Sequence, residues 1–130
     1  MSHHREPVDA PGAPAAVGPY VHAVRAGNLV FCSGQIALDP DSGDLVGDTA
    51  GEQAARCLDN LATVADAAGA SLDDSVRITV YLTDMDTWAS VNDVYAGYFE
   101  SGPPARVAIG VAALPKGALV EMDCVLALPS

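Results

Sequence analysis

Cations are scarce in this chain: six Lys and Arg stand against 17 Asp and Glu, a formal net charge of −11 over 130 residues. A protein that grips nucleic acid through its phosphates needs clustered Lys and Arg, and an anionic membrane surface repels a chain of this sign. Neither is expected as a partner. The acid excess serves solubility, with a local cation kept for an anionic ligand. Cysteine is equally sparse. Cys32, Cys57 and Cys124 form no C-x-x-C pair, so they encode neither a zinc ribbon nor a thioredoxin-like site. Cys32 and Cys124 lie in apolar runs, where a free thiol packs as a small hydrophobe. Three thiols that need not pair fit a reducing compartment.

Long hydrophobic runs are missing too, and the apolar stretches are far too short to span a bilayer. The opening "MSHHREPVDAPGAPAAVGP" has no apolar segment of the signal-peptide kind, so a cytoplasmic location is expected. It reads as a polar, Pro-rich lead-in, mobile over residues 1–15, before a single domain over 16–130. No internal repeat, Rossmann fingerprint or phosphate-cradling loop is present. "DPDSGDLVGDTAGE" has a calcium-loop look, but its Gly falls one position early and a Pro occupies the second place. His3, His4 and His22 lack the spacing of a metal-ligand set. No motif requires a metal or an organic cofactor.

Half the residues are hydrophobic and 18% are charged, the composition of a globular domain with a real core. "VHAVRAGNLVFCSGQIAL" breaks at Ala26-Gly27-Asn28 and reads as a β-hairpin. "DTAGEQAARCLDNLATVADAAGA" predicts a helix. Thr49 and Glu52 make a capping box, apolar residues recur at 54, 58, 61, 65 and 68, and Gly69 is a natural stop. "DSVRITVYLTD" predicts a strand with Val76, Ile78, Val80 and Leu82 on one face. "DMDTWASVNDVYAGYFE" predicts a second helix, with Asp86 as N-cap and Trp88, Val91, Tyr95 and Tyr98 as a core stripe. "ARVAIGVAAL" and "ALVEMDCVLAL" are two more strands, joined across "PKG". The order β-β-α-β-α-β-β predicts an α+β domain with both helices on one face of the sheet. The other face carries too many apolar residues to meet water, so association through it is expected.

Two charged residues stand out. Alternation puts Arg106, Ala108, Gly110 and Ala112 on one face of their strand. Small neighbours leave space for a ligand beside the guanidinium, whose planar fork matches a carboxylate; a structural ion pair is the alternative. Glu121 shares a strand face with Asp123. If its strand adjoins that of Arg106, the two could converge on one pocket, where a Glu could orient or deprotonate water; otherwise it is an exposed acid on an edge strand. Ser33-Gly34 in mid-strand signals a bulge or a close backbone approach. No G-x-S-x-G elbow surrounds Ser33, so it is not read as an activated nucleophile.

"GPYVHAVRAGNLVFCSGQI", "CLDNL", the Asn and Tyr of "SVNDVYAGYF", "PPARVAI" and "LPKGALVEMD" occur in the order seen in the RidA/YjgF reactive-intermediate deaminases. From about Ala15 to Leu128 the chain resembles that family. The resemblance implies a chorismate-mutase-like α+β fold, a mixed sheet with two helices on one face, and a homotrimer with intersubunit clefts. It also implies hydrolysis of 2-imino or 2-enamino acids to 2-keto acids and ammonia. It places the carboxylate anchor at Arg106 and the water-positioning glutamate at Glu121. Tyr20, Ser33 and Asn92 fall near the cleft. The chain departs from the family pattern at Ala108, where many members have Cys, at Pro103, where an aromatic is common, and in a shorter segment before Pro104; these changes bear on substrate range. Two other readings remain: a trimer that binds a small carboxylate without turnover, and an endoribonuclease, a label some relatives carry and the acidic composition opposes.

Overall fold

The capping box at Thr49 sets the start of the longest helix. Thr49 stays extended (φ −119°, ψ 159°); its Oγ1 accepts from Glu52 N–H at 3.2 Å, and Glu52 Oε1 accepts from Thr49 N–H at 3.1 Å. Such a cap stabilises a helix by about 1 kcal/mol. In the computed structural model, which describes residues 4–129, α1 then runs Ala50–Ala67 and ends at Gly69, whose φ of 84° a side chain would strain. Residues 1–3, His3 among them, and Ser130 lie outside the described residues. The inward stripe of α1 buries Ala54, Leu58, Leu61, Val64 and Ala65 completely. Each Leu or Val so removed from water contributes about 1.5–3 kcal/mol.

That stripe covers one face of a six-stranded mixed sheet. The strands are β1 (Glu6–Val8), β2 (Ala23–Ala26), β3 (Leu29–Gln35), β4 (Ser75–Leu82), β5 (Ala105–Gly110) and β6 (Val120–Ala127), in spatial order β1-β2-β3-β6-β4-β5. All pairs are antiparallel except β4 with β5. A parallel neighbour needs a crossover, and α2 (Trp88–Tyr98) supplies it, packed beside α1 on the same face. Alternation sends Ile78, Val80 and Leu82 of β4, and Val120, Met122, Cys124 and Leu126 of β6, into the core beneath the helices. Cys32, Cys57 and Cys124 are all buried, and burial raises the Cys57 thiol pKa.

Several expectations change. The lead-in is not a loose tail: Glu6–Val8 forms the edge strand β1 against β2, and Ala10 and Ala13 are buried. An edge strand tolerates Pro7, which has no N–H to donate. A register shift between Ser75 and Arg77 turns Val76 out of the face it was expected to share. The second helix is entered through a 3-10 turn at Met85–Thr87, and the capping side chain is Asp84, accepting from Asp86 N–H at 2.9 Å, in place of Asp86. β6 inserts between β3 and β4, so β4 separates Glu121's strand from Arg106's.

The face without helices presents Phe31 (47% exposed), Val107 (43%) and Ile109 (42%). Val30 and Cys32, which flank Phe31, point into the core, and Val107 and Ile109 lie on the edge strand β5, so this apolar character belongs to the sheet and not to a loop.

Candidate functional site

Glu121 anchors one cluster. On β6 it lies opposite Tyr81 of β4, on the helix-free face. The β3–β6 register shifts between Cys32 and Gln35, which bulges Ser33-Gly34 as the sequence signalled. The Glu121 carboxylate occupies the space over Gly34: a Cβ built there would meet Glu121 Oε2 and stand 3.0 Å from its Cδ. Only glycine admits the carboxylate so close to the strand. Burial, and next the charge of Asp123, raises the Glu121 pKa above the ordinary glutamate value. Asp123 is held by the Tyr81 hydroxyl, which donates to its Oδ2 at 2.8 Å.

Glu121 and the Ser33-Gly34 bulge open on a cavity of about 590 Å³ that Tyr20, Gln35 and Lys116 also line. Ser33 Oγ donates to Val21 O at 2.6 Å, which fixes the hydroxyl and leaves its lone pairs to accept. Tyr20 is half exposed at the rim. Lys116, which sequence reasoning passed over, holds a left-handed backbone (φ 58°) and donates Nζ to Gly43 O at 3.0 Å. Its signal was the turn "PKG", where a cation sits five residues before the glutamate. The cavity's far wall is the segment around Pro14–Val17, held by His22. The buried imidazole accepts from Ala10 N–H through Nδ1 at 3.1 Å and bonds Pro14 O through Nε2 at 2.8 Å, so Nε2 carries the proton.

Arg106 anchors a second cluster elsewhere. It pairs with Ile78, which is buried under the helices, so its side chain rises on the helix face at the sheet's β5 edge. There it lines a recess of about 320 Å³ with Asn92, Tyr95, Phe99, Pro103 and Pro104. Nη1 donates to Asn92 Oδ1 at 2.9 Å. The structural ion pair weighed above is not formed: among the described residues no Asp or Glu bridges to Arg106, although the chain carries 17 acids. Nor do its small strand neighbours simply leave ligand space, because Met85 Cγ lies 3.2 Å from where a Cβ on Gly110 would stand.

Arg106 and Glu121 therefore do not converge within one chain. They sit two strands apart, about 10 Å, and three residues out of register, about 10 Å more. They also project from opposite faces. The structure brings Tyr20, Ser33 and Glu121 together, and separately Asn92 and Arg106.

The sequence model of the family described as Endoribonuclease L-PSP matches residues 11–128. A mouse relative named 2-iminobutanoate/2-iminopropanoate deaminase is 42% identical over 121 residues, covering 93% of this chain and 90% of that protein. A RutC family protein of Sinorhizobium fredii is 47% identical over 123 residues, covering 95% of this chain and 98% of its own. The crystal structure of RidA from the Antarctic bacterium Psychrobacter sp. PAMC 21119 superposes with a TM-score of 0.91 at 40% identity, covering 95% of this chain and 99% of that one.

Proposed function

The chain belongs to the RidA/YjgF (endoribonuclease L-PSP) family, and from that premise we propose that it is a hydrolytic deaminase of 2-imino acids and their 2-enamino tautomers. The observation that carries this reading is a guanidinium with no acid partner among the described residues on one face and a pKa-raised carboxylate pressed against a glycine on the other. A substrate of a few carbons cannot span both within one chain. It can where the β5 edge of one copy meets the helix-free face of the next. Because the two half-sites are different surfaces, that contact is head-to-tail, the kind that forms a ring when the rotation between copies closes. A homotrimer with three intersubunit clefts meets the requirement and covers Phe31, Val107 and Ile109.

In such a cleft Arg106 holds the substrate carboxylate through a fork of N–H bonds. Water beside Glu121 attacks the C=N carbon while the carboxylate takes its proton. Glu121 returns that proton to the adduct nitrogen, and the carboxylate then relays the new hydroxyl's proton to the same nitrogen, so that the carbonyl forms as the C–N bond breaks and ammonia leaves. Tyr20, Ser33 and the bulged backbone orient the imine. An imine is already electrophilic, so positioning and proton relay through one carboxylate suffice. The mouse relative's name supports small aliphatic imines as substrates. A trimer that merely held a carboxylate would use Arg106 but have no use for a glutamate of raised pKa. The scarcity of cations argues against RNA.

The activity test generates 2-iminopropanoate or 2-iminobutanoate in situ with an amino-acid oxidase and lets semicarbazide compete for it. The protein is expected to divert imine to keto acid, lowering semicarbazone yield in proportion to its concentration; an unchanged yield at stoichiometric protein rejects turnover. The assembly test is light scattering at micromolar concentration. The expected mass is three times 13.3 kDa, and a monomer would sink the shared cleft.

A further inference from the structure

Three side chains of α2 surround Arg106, and none of them neutralises it. The guanidinium carbon lies 4.5 Å from the Trp88 ring centroid and 4.8 Å from the Tyr95 ring centroid, while Nη1 donates to Asn92 Oδ1 at 2.9 Å. Positions 88, 92 and 95 follow the i, i+4, i+7 spacing that places side chains in one stripe of a helix. The sequence reads Trp88 and Tyr95 as core. Tyr95 is buried, but Trp88, the chain's single tryptophan, is only half-buried and gives a ring to the cation.

An exposed arginine with no acid partner would ordinarily sample many rotamers. Here aromatic faces attract the flat faces of the guanidinium through the ring quadrupole. That interaction consumes no N–H. The amide of Asn92 uses one donor of the five, so the remaining edge stays free while the plane is fixed. A carboxylate partner would have done the reverse, occupying the edge and cancelling the charge. The arrangement is what a receptor for a planar anion needs before the anion arrives.

We propose that Trp88 and Tyr95, with Asn92, are positioning residues that hold the Arg106 guanidinium in one plane with its free edge presented to a substrate carboxylate. This rests on the deaminase reading for its substrate. Asn92, implied by resemblance as a cleft residue, then acts through the arginine.

The experiment measures 2-oxobutanoate binding by calorimetry, and imine hydrolysis by semicarbazide competition, on wild type, Trp88→Leu and Trp88→Phe, with scattering on each. Leucine keeps apolar bulk without a π face; phenylalanine keeps the face. Trp88→Leu is expected to weaken 2-oxobutanoate about tenfold and lower kcat/KM in parallel, with kcat less affected. Trp88→Phe is expected to recover most of the loss. Wild-type affinity in an intact Trp88→Leu assembly, or equal losses in both variants, overturns the proposal. If Trp88→Leu does not assemble, the Arg106 Nε–H resonance of the wild type, assigned with Arg106→Lys, decides. Ring currents should displace it from the other arginines, and an undisplaced signal overturns the proposal. A wild type that binds 2-oxobutanoate but turns over no imine defeats the deaminase reading while the binding series still judges Trp88. A wild type that does not bind it overturns both.

Discussion

Arg106→Lys is expected to lose most imine hydrolysis while the assembly stays intact, and Arg106→Ala to lose as much. An ammonium has no planar fork, so it cannot give a carboxylate two parallel N–H bonds, and it has no flat face for the Trp88 and Tyr95 rings. A charge-assisted pair contributes about 1.5–3 kcal/mol, which corresponds to roughly 10–150-fold in affinity. A cleft that excludes water raises that figure. The fold should survive because the arginine is exposed, and among the described residues its side chain's one hydrogen bond is to Asn92. The measurement is semicarbazide competition beside light scattering on wild type and both variants. Variants that stay trimeric and compete like wild type would reduce Arg106 to a surface cation and end the deaminase reading.

Glu121→Gln is expected to bind 2-keto acid normally and to slow hydrolysis by about 10²–10⁴-fold, the usual contribution of a general acid–base group. Its pH dependence carries the same signature. Burial and the neighbouring Asp123 raise the Glu121 pKa, so the proton-accepting form is lost as pH falls through a value above the ordinary glutamate range. The acid limb of kcat/KM should lie there in wild type and vanish from the residual activity of the Gln variant. The stability sign is the opposite. A carboxylate whose folded pKa is raised stabilises the fold below its unfolded pKa and loses that contribution as pH rises through the folded one. At neutral pH Glu121→Gln should therefore melt no lower than wild type. A clearly lower Tm, or an unchanged rate, would move the proton-transfer role to another group.

Much of the scaffold is written locally and was legible. Thr49 and Glu52 define the start of α1 because both halves of the capping box lie within four residues. Gly27 closes the β2–β3 hairpin, and the alternation in "LVEMDCV" sets which β6 side chains are buried. What failed was non-local. No pattern in "ALVEMDCVLAL" says that it inserts between β3 and β4, and that insertion moves Glu121 away from Arg106. The lead-in misled because its prolines suggest disorder, while its anchors, Ala10 and Ala13, are too small to show as a hydrophobic signal. Trp88 was read as core because helical spacing reports a face and not what that face meets. Arg106 could be singled out by rarity, but the rings that hold it belong to another element, eleven and eighteen residues back in the chain.

The placement of Arg106 and Glu121 on opposite sides of one sheet also has a genetic reading. Each chain in a closed ring would donate its arginine to one cleft and its glutamate to another, so no chain would own a site. Two crippled alleles could then rescue each other. Trimers re-formed from an equal mixture of Arg106→Ala and Glu121→Gln chains should contain about one cleft in four with both native side chains. Each parent alone contains none. Imine hydrolysis near a quarter of the wild-type rate, arising only after the chains have exchanged, is the expected result. Continued inactivity in a mixture whose exchange is verified by mass would mean that each cleft draws both residues from a single chain.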